Sequence, residues 1–291
     1  MKFFPNKMKT KEVYNAIISG IQDYFKKNNF QRAVIGLSGG VDSSVAACLV
    51  VKALGNGNVA ALIMPEDGVT SKKNTEDAEN LAKKLKIEHQ FFAINGIINK
   101  IHNQKNDFPF ENHFFVKDKN HIYALANLKA RIRMLLLYYF ANLNSSLVIG
   151  TSDKSEIALG YTTKYGDNAA DILIIGDLWK TEVIEIGKFL KVPPTILKKE
   201  PSAELILGQT AKKELGANYG LLDKILKMHI EGGLSAKDII GKGFDKKIVN
   251  NVAARIRLNE HKRRAAMIIR VSESSFHGME WRMPVTNGFR E

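Results

Sequence analysis

Apolar residues follow two alternating rhythms along this chain. Residues 11 to 27 carry Val13, Ile17, Ile18, Ile21, Tyr24 and Phe25 at helical spacing, which predicts an amphipathic first helix resting on a sheet. The run RAVIGL at 32 to 37 predicts a buried strand that leads directly into Ser38-Gly39-Gly40. From Val41 an apolar helix is expected to about Leu54, where Gly55-Asn56-Gly57-Asn58 supplies a turn. The alternation then repeats: a strand VAALIM at 59 to 64, a polar loop PEDGVTS, a helix over 74 to 85 and a strand EHQFFAI at 88 to 94. Short, nearly continuous apolar strands separated by helices describe a parallel sheet covered on both faces. The expected fold class is α/β, a doubly wound parallel sheet with helices on both faces.

Residues 95 to 120 break the rhythm, and HNQKNDFPFENHFFVKDKN reads as an excursion of the chain, either beside a site or on the surface. A helix resumes with YALANLKARIRMLLLYYFAN, followed by a strand at 145 to 150, a loop GTSDKSE and a helix WKTEVIEIGKFLKV that Pro193-Pro194 stops. Three further helices are expected over 215 to 230, 235 to 240 and 244 to 258; Ser235 caps the second, and Gly241 and Gly243 separate it from the third. No internal repeat or long linker interrupts the chain, so residues 1 to 291 read as a single domain with a helical C-terminal elaboration.

Composition narrows the class. With 291 residues, 45% of them hydrophobic, the chain can bury a full core and is not a disordered tail. Lys and Arg number 43 against 30 Asp and Glu, and the resulting +13 favours anionic partners without choosing among nucleotides, RNA and acidic lipid. Most lysine pairs read as solvated faces, and only the stretch from 255 to 270 looks like a concentrated basic patch. The single cysteine, Cys48, rules out an intrachain disulfide or a CxxC pair and reads as a packed core residue. No h-region and no run of 18 apolar residues is present, so the chain is read as cytoplasmic, with no membrane partner.

The sharpest chemical signal is IGLSGGVDSSVAACL at 35 to 49. A glycine pair flanked by small hydroxyls, between a buried strand and an apolar helix, lets successive N–H groups point into one concavity, which suits an anion. The plainer reading is a tight strand-to-helix turn, with Asp42 or Ser43 capping the helix. Neither G-x-G-x-x-G nor GxxxxGK[ST] is present, so a Rossmann fingerprint and a Walker A loop are both excluded. A lysine neutralising phosphate must come from elsewhere, and Lys180 is the candidate.

SGGVDSS at 38 to 44 resembles the signature loop of the N-type ATP pyrophosphatases. NLKARIRM at 127 to 134, GTSDKSEIALGYTTKYGDNAADI at 150 to 172, GDLWKTEV at 176 to 183, PSAEL and GQT within 201 to 210, and NEHKRR at 259 to 264 are similar, in order, to the ammonia-dependent NAD synthetases of that superfamily. The resemblance implies an adenine nucleotide alpha hydrolase-like fold. It also implies a phosphate loop of Gly36, Leu37, Ser38, Gly39, Gly40, Val41, Asp42 and Ser43. Further ATP contacts follow at Thr151, Lys180 and Ser202, with Asp42 and Lys180 stabilising charge and no general base assigned. Mg²⁺ would be held by Asp42 and Glu156, as a hard cation with carboxylate ligands. Arg131, Lys164, Asp171, His261 and Lys262 match positions that hold nicotinic acid adenine dinucleotide, Tyr161 and Tyr165 read either as aromatic surface near the nicotinate ring or as packing residues, and Arg133 reads as a solvent or interface arginine.

The reaction so implied joins ATP, ammonia and the acid dinucleotide to give NAD, AMP and pyrophosphate through an adenylated carboxylate. The resemblance further implies a homodimer, no glutaminase domain and no nucleic-acid partner. Two departures stand out: Ala265-Ala266 follow HKRR where the family often has prolines, and Ala211-Lys212-Lys213 follow GQT where it is usually acidic. The rival readings are another ATP pyrophosphatase, amidating or thiolating a purine nucleotide or tRNA, and a basic RNA-binding protein.

Overall fold

The computed structural model describes residues 9–102, 118–274 and 285, so most of the segment HNQKNDFPFENHFFVKDKN lies outside the described residues. Among the described residues five parallel strands form one sheet: β1 (Arg32–Gly36), β2 (Val59–Ile63), β3 (Glu88–Phe91), β4 (Ser146–Gly150) and β5 (Ile172–Leu173), in the order β3-β2-β1-β4-β5. Ile35 at the centre stands opposite Ala61 on one side and Ile149 on the other. The chain first builds outward from β1 to β3 and then returns to lay β4 along the free edge of β1. This reversal opens a crevice between the carboxyl ends of β1 and β4, where doubly wound sheets bind ligands.

Alternate strand residues feed two apolar layers. Ala33, Ile35, Val59, Ala61, Ile63, Leu147 and Ile149 pack with α1 (Thr10–Lys27), α2 (Val41–Leu54), α3 (Lys72–Leu85), α7 (Lys180–Phe189) and the short α8 (Pro194–Leu197). Val34, Leu62 and Val148 face α4 (Asn95–His102) and α5 (Asp118–Leu143) on the other side. Helix α2 is buried from Ser43 to Val50, as a helix apolar on all sides must be. Each fully buried Val, Leu or Ile contributes roughly 1.5–3 kcal/mol of transfer free energy, so this helix anchors the layer from which the phosphate loop emerges. Cys48 packs within it, as expected.

The structure corrects several details. Helix α1 reaches the common core beside α2 and α7 through Ile21 and Phe25, instead of lying directly on the strands. Strand β3 ends at Phe91, and its exposed residues mark it as an edge strand not covered on both faces. Helix α4 and strand β5 carried no separate signal. The expected helix over 215 to 230 begins four residues later, as α10 (Tyr219–Leu226) running on into a wider helical turn at Lys227–Glu231, and it starts where the Asn218 side chain accepts Leu221 N–H at 3.0 Å; Leu215 instead ends a separate short helix, α9 (Ala211–Leu215), at Gly216, φ +82°.

With α11 (Ala236–Gly241) and α12 (Lys246–Leu258), these helices enclose Leu222, Leu226, Trp179 and Leu159 in a second core. Ser235 caps α11 as predicted. The basic stretch after 255 is largely bonded internally: Arg255 donates to Glu214 O, Arg263 to Ile157 O and Ala158 O, and Arg263 and Arg264 pair with Glu260. Among the described residues no helix is long and apolar enough to cross a membrane.

Candidate active site

Strand β1 delivers Leu37 to the crevice, where its N–H still donates to Leu62 O at 2.9 Å, and the chain then leaves the sheet. Ser43 Oγ accepts from Ser38 N at 3.2 Å and lies 3.0 Å from Ser38 Oγ, which in turn accepts from Gly40 N at 3.3 Å. The two serines fold residues 38–43 into a closed loop over the start of α2. The first N–H groups of that helix have no intrahelical acceptor, and they face the crevice at the positive end of the helix dipole. Phosphate oxygens satisfy both conditions.

Behind the loop stands a buried charge cluster. Lys180 Nζ lies 2.7 Å from Asp42 Oδ2, 2.8 Å from Asp153 Oδ2 and 2.8 Å from Glu156 Oε1. Helix α6 (Lys154–Leu159) begins with a capping box in which Asp153 accepts Glu156 N–H at 2.9 Å, so one short turn presents both acids to the lysine. Lys180 is placed by its own backbone: its N–H donates to Ser155 Oγ at 2.9 Å, and Asp223 holds that hydroxyl at 2.6 Å and Thr181 N–H at 2.8 Å. Burial opposes the lysine's charge, yet the surrounding acids hold its pKa well above the ordinary value. Burial, with repulsion from Asp42 and against the pull of Lys180, raises Asp153 to about 6; Glu156 is raised for the same reasons.

Three carboxylates around one ammonium leave an excess of two negative charges. Ligand oxygens of Asp42, Asp153 and Glu156 all lie within 4.8 Å of one another, and Asp42 Oδ1 is buried with no hydrogen-bond partner among the described residues. Hard oxygen donors, surplus charge and an unused buried oxygen fit a hard divalent cation such as Mg²⁺.

Loop and cluster open onto one cavity of about 250 Å³. Of the residues expected from sequence, Gly36, Leu37, Ser38, Gly40, Asp42 and Ser43 line it from the loop. Thr151, Glu156 and Ser202 line it from the other side. Gly39 and Val41 form the back of the loop, and Lys180 is enclosed behind Asp42 and Glu156. The group assigned to the acid dinucleotide does not reach the lining. Arg131 donates to Lys164 O at 3.3 Å, the Lys164 ammonium lies 5.1 Å from the Tyr165 ring centre, and Lys262 staples Gly160 O and Thr162 O at 2.7 and 2.8 Å. Arg131 from α5 and Lys262 from the turn after α12 thus both bond the loop that carries Lys164, and His261 is exposed. Asp171 is apart, in a separate hollow with Phe30, Tyr138 and Asn142, accepting Val148 N–H at 2.7 Å.

Sequence reasoning missed three residues of this site. Arg133, set aside as solvent-facing, lines the cavity and donates to Met64 O at 2.9 Å; its phase with Ala130, Met134 and Leu137 was the available signal. Asp153 was hidden in a stretch read as loop, although D-K-S-E has capping-box spacing. Tyr219 lines the cavity, with its ring centre 5.0 Å from the Lys180 ammonium.

A loop of free N–H groups without its own lysine, at the switch point of a parallel sheet and backed by a carboxylate cluster, is an arrangement suited to nucleotide phosphates. The family model described as NAD synthase matches residues 13–266, and the chain belongs to that family. The NH(3)-dependent NAD(+) synthetase of Archaeoglobus fulgidus is 41% identical over 91% of this chain and 99% of its own length. The glutamine-dependent NAD(+) synthetase of Thermotoga maritima is 40% identical over 99% of this chain and 50% of its length. The chain thus spans about half the length of the glutamine-dependent relatives it matches. Among solved structures, the NMN synthetase of Francisella tularensis superposes with a TM-score of 0.78 at 33% identity, covering 91% of this chain and 100% of that one.

Proposed function

We propose that this chain converts the carboxylate of nicotinic acid adenine dinucleotide to an amide with ATP and ammonia, releasing NAD, AMP and pyrophosphate. The observation that carries the reading is the meeting of Asp42, from the phosphate loop, with Glu156, from the segment after β4, on the single ammonium of Lys180. Two distant motifs converge where a triphosphate's charge would have to be balanced.

Carboxylates do not react with ammonia directly, because the departing oxygen is a poor leaving group. Attack by a carboxylate oxygen on the α-phosphorus breaks the bond to the β-phosphate and expels pyrophosphate; ammonia then adds to the acyl carbon, AMP leaves and a proton is released. The loop N–H groups hold the pyrophosphate, and Lys180, enclosed behind Asp42 and Glu156, offsets the charge of those acids, so rate acceleration comes from positioning and electrostatics. Asp42, Glu156 and Asp153 would hold Mg²⁺, which when bound supplies charge neutralisation to the triphosphate. Thr151 and Ser202 contact the nucleotide from the facing wall.

Arg131, Lys164, His261 and Lys262 supply cationic donors for the acid's pyrophosphate on the 160–168 loop. Asp171 in its hollow would accept donors of the same ligand. Leu135, Tyr139 and Leu143, exposed by 60%, 64% and 67% at four-residue spacing on α5, would pack against a second copy of this chain.

The reading is tested by incubating the protein with ATP, Mg²⁺, ammonium chloride and nicotinic acid adenine dinucleotide, with nicotinic acid mononucleotide or glutamine substituted in parallel. NAD formed one for one with AMP, and lost in folded Asp42→Ala and Glu156→Ala variants, supports it. Faster turnover of the mononucleotide would move the substrate assignment to the smaller acid. Light scattering reports whether the chain dimerises.

A further inference from the structure

Gly39 adopts φ +78°, and a Cβ built on it would fall 2.0 Å from the backbone oxygen of Asn74. The first turn of α3 therefore presses directly on the phosphate loop. Lys199 enters the same junction: its ammonium donates to Gly39 O at 2.8 Å and Asn74 Oδ1 at 2.5 Å, and pairs with Asp77 Oδ2 at 2.6 Å. Two of its three N–H groups are committed to neutral protein oxygens, and the Asp77 carboxylate offsets its charge. The other end of the Asn74 amide is also held, with Nδ2 donating to Glu204 Oε1 at 2.6 Å, an oxygen that accepts Ser71 N–H at 3.3 Å as well. The 199–204 segment, which brings Ser202 to the cavity wall, is thus tied to the loop and to α3 together.

The carbonyl held by Lys199 shares its peptide plane with the N–H of Gly40. In a trans peptide the two point in opposite directions. Fixing the oxygen toward α3 fixes the N–H toward the loop interior, where it donates to Ser38 Oγ at 3.3 Å. Glycines flank this peptide on both sides, so the plane can turn over against little steric resistance. Turned over, it would aim a carbonyl dipole at an incoming phosphate. We propose that Lys199 is a positioning residue that locks the Gly39–Gly40 peptide in its anion-accepting orientation, and so sets affinity for nucleotide phosphates without touching them. This inference rests on reading the cavity as a nucleotide site.

The test compares Lys199→Met, Lys199→Arg, Asp77→Asn and, as an exposed neighbouring control, Lys198→Met with the unmodified protein. Calorimetry gives the Kd for ATP with Mg²⁺, steady-state kinetics give KM and kcat for each substrate, and thermal melts establish folding. Lys199→Met should weaken ATP by about ten- to a hundredfold, with KM for the acid dinucleotide nearly unchanged, while Lys199→Arg restores part of the loss. Asp77→Asn decides between positioning and direct contact. A positioning lysine deprived of one anchor weakens ATP binding, whereas a lysine that acts by contacting phosphate is freed to bind it more tightly. Unchanged or tighter ATP binding in Asp77→Asn overturns the proposal, as does an unaltered Kd in folded Lys199→Met. A protein that binds ATP but makes no NAD would defeat the functional reading and leave this comparison decisive; one that binds no ATP defeats both.

Discussion

The ammonium of Lys180 lies 2.8 Å from Oδ2 of Asp153, and neither side chain has any exposed surface. Lys180 is the first residue of α7, where the helix dipole disfavours a cation, so its charge is tolerated only through the acids around it. Substituting Asp153→Asn keeps an oxygen to cap α6 and removes one charge from the cluster. The expected result is a loss of about 1–3 kcal/mol in urea unfolding together with a shift of the Mg²⁺ titration of activity to higher concentration. An unchanged Mg²⁺ titration in the folded variant would exclude Asp153 from the cation site.

A second buried pair supports the roof of the cavity. Lys129 and Glu66 meet at 2.8 Å with side chains 6% and 10% exposed, and Lys129 also donates to Leu205 O at 2.9 Å. Lys129→Met leaves Glu66 buried without its partner and should cost about 3–5 kcal/mol. Adding Glu66→Gln should recover most of that loss. Equal stability of the single and double variants in chemical denaturation would show that the pair is not coupled.

These cores and cavities were legible in the sequence to different depths. Strand β1, the loop and α2 were read almost to the residue because apolar runs and glycine punctuation coincide there. Strand β5 was not, since Ile172 and Leu173 are too few to show a period and form a strand only by pairing with Ile149 and Gly150. Asp42, Thr151, Glu156 and Ser202 were found because motifs mark them. Arg133 and Lys199 were not, because a helix phase and a three-way junction become visible only when α5, α3 and the phosphate loop are brought together. The true start of the helix expected over 215 to 230 was available in Gly216 and Asn218, but Leu215 continues the apolar spacing and concealed the two caps.

Tyr219 is 6% exposed, and its hydroxyl has no hydrogen-bond partner among the described residues. Tyr219→Phe retains the ring beside Lys180 and removes only the unsatisfied group. The protein should keep its stability or gain up to about 1 kcal/mol. A thermal melt showing a clear decrease would mean that the hydroxyl has a structural partner.

Burial raises the Cys48 thiol from its ordinary value of 9.0 to about 11. A raised acid favours the folded state while it is protonated in both states, so this contribution is complete below pH 9 and is lost as pH rises toward 11. Cys48→Ala removes the effect. The stability difference between the native protein and this variant should therefore shrink between pH 9 and 11, measured by denaturant unfolding. A constant difference across that window would contradict the buried, protonated thiol.

The order in which the sheet is laid down bears on how the site assembles. A chain emerging from its N-terminus can pair β1 with β2 and β3 as soon as those strands exist, and the phosphate loop can fold against α3 in that half. Asp153, Glu156 and Lys180 arrive only after α5 has been synthesised and β4 has found the other edge of β1, a pairing that closes a long stretch of chain. Anion cradle and charge cluster are therefore products of different stages of folding. A nascent chain released before β4 docks would carry the loop without Lys180 and without the Lys199 contact to Gly39 O.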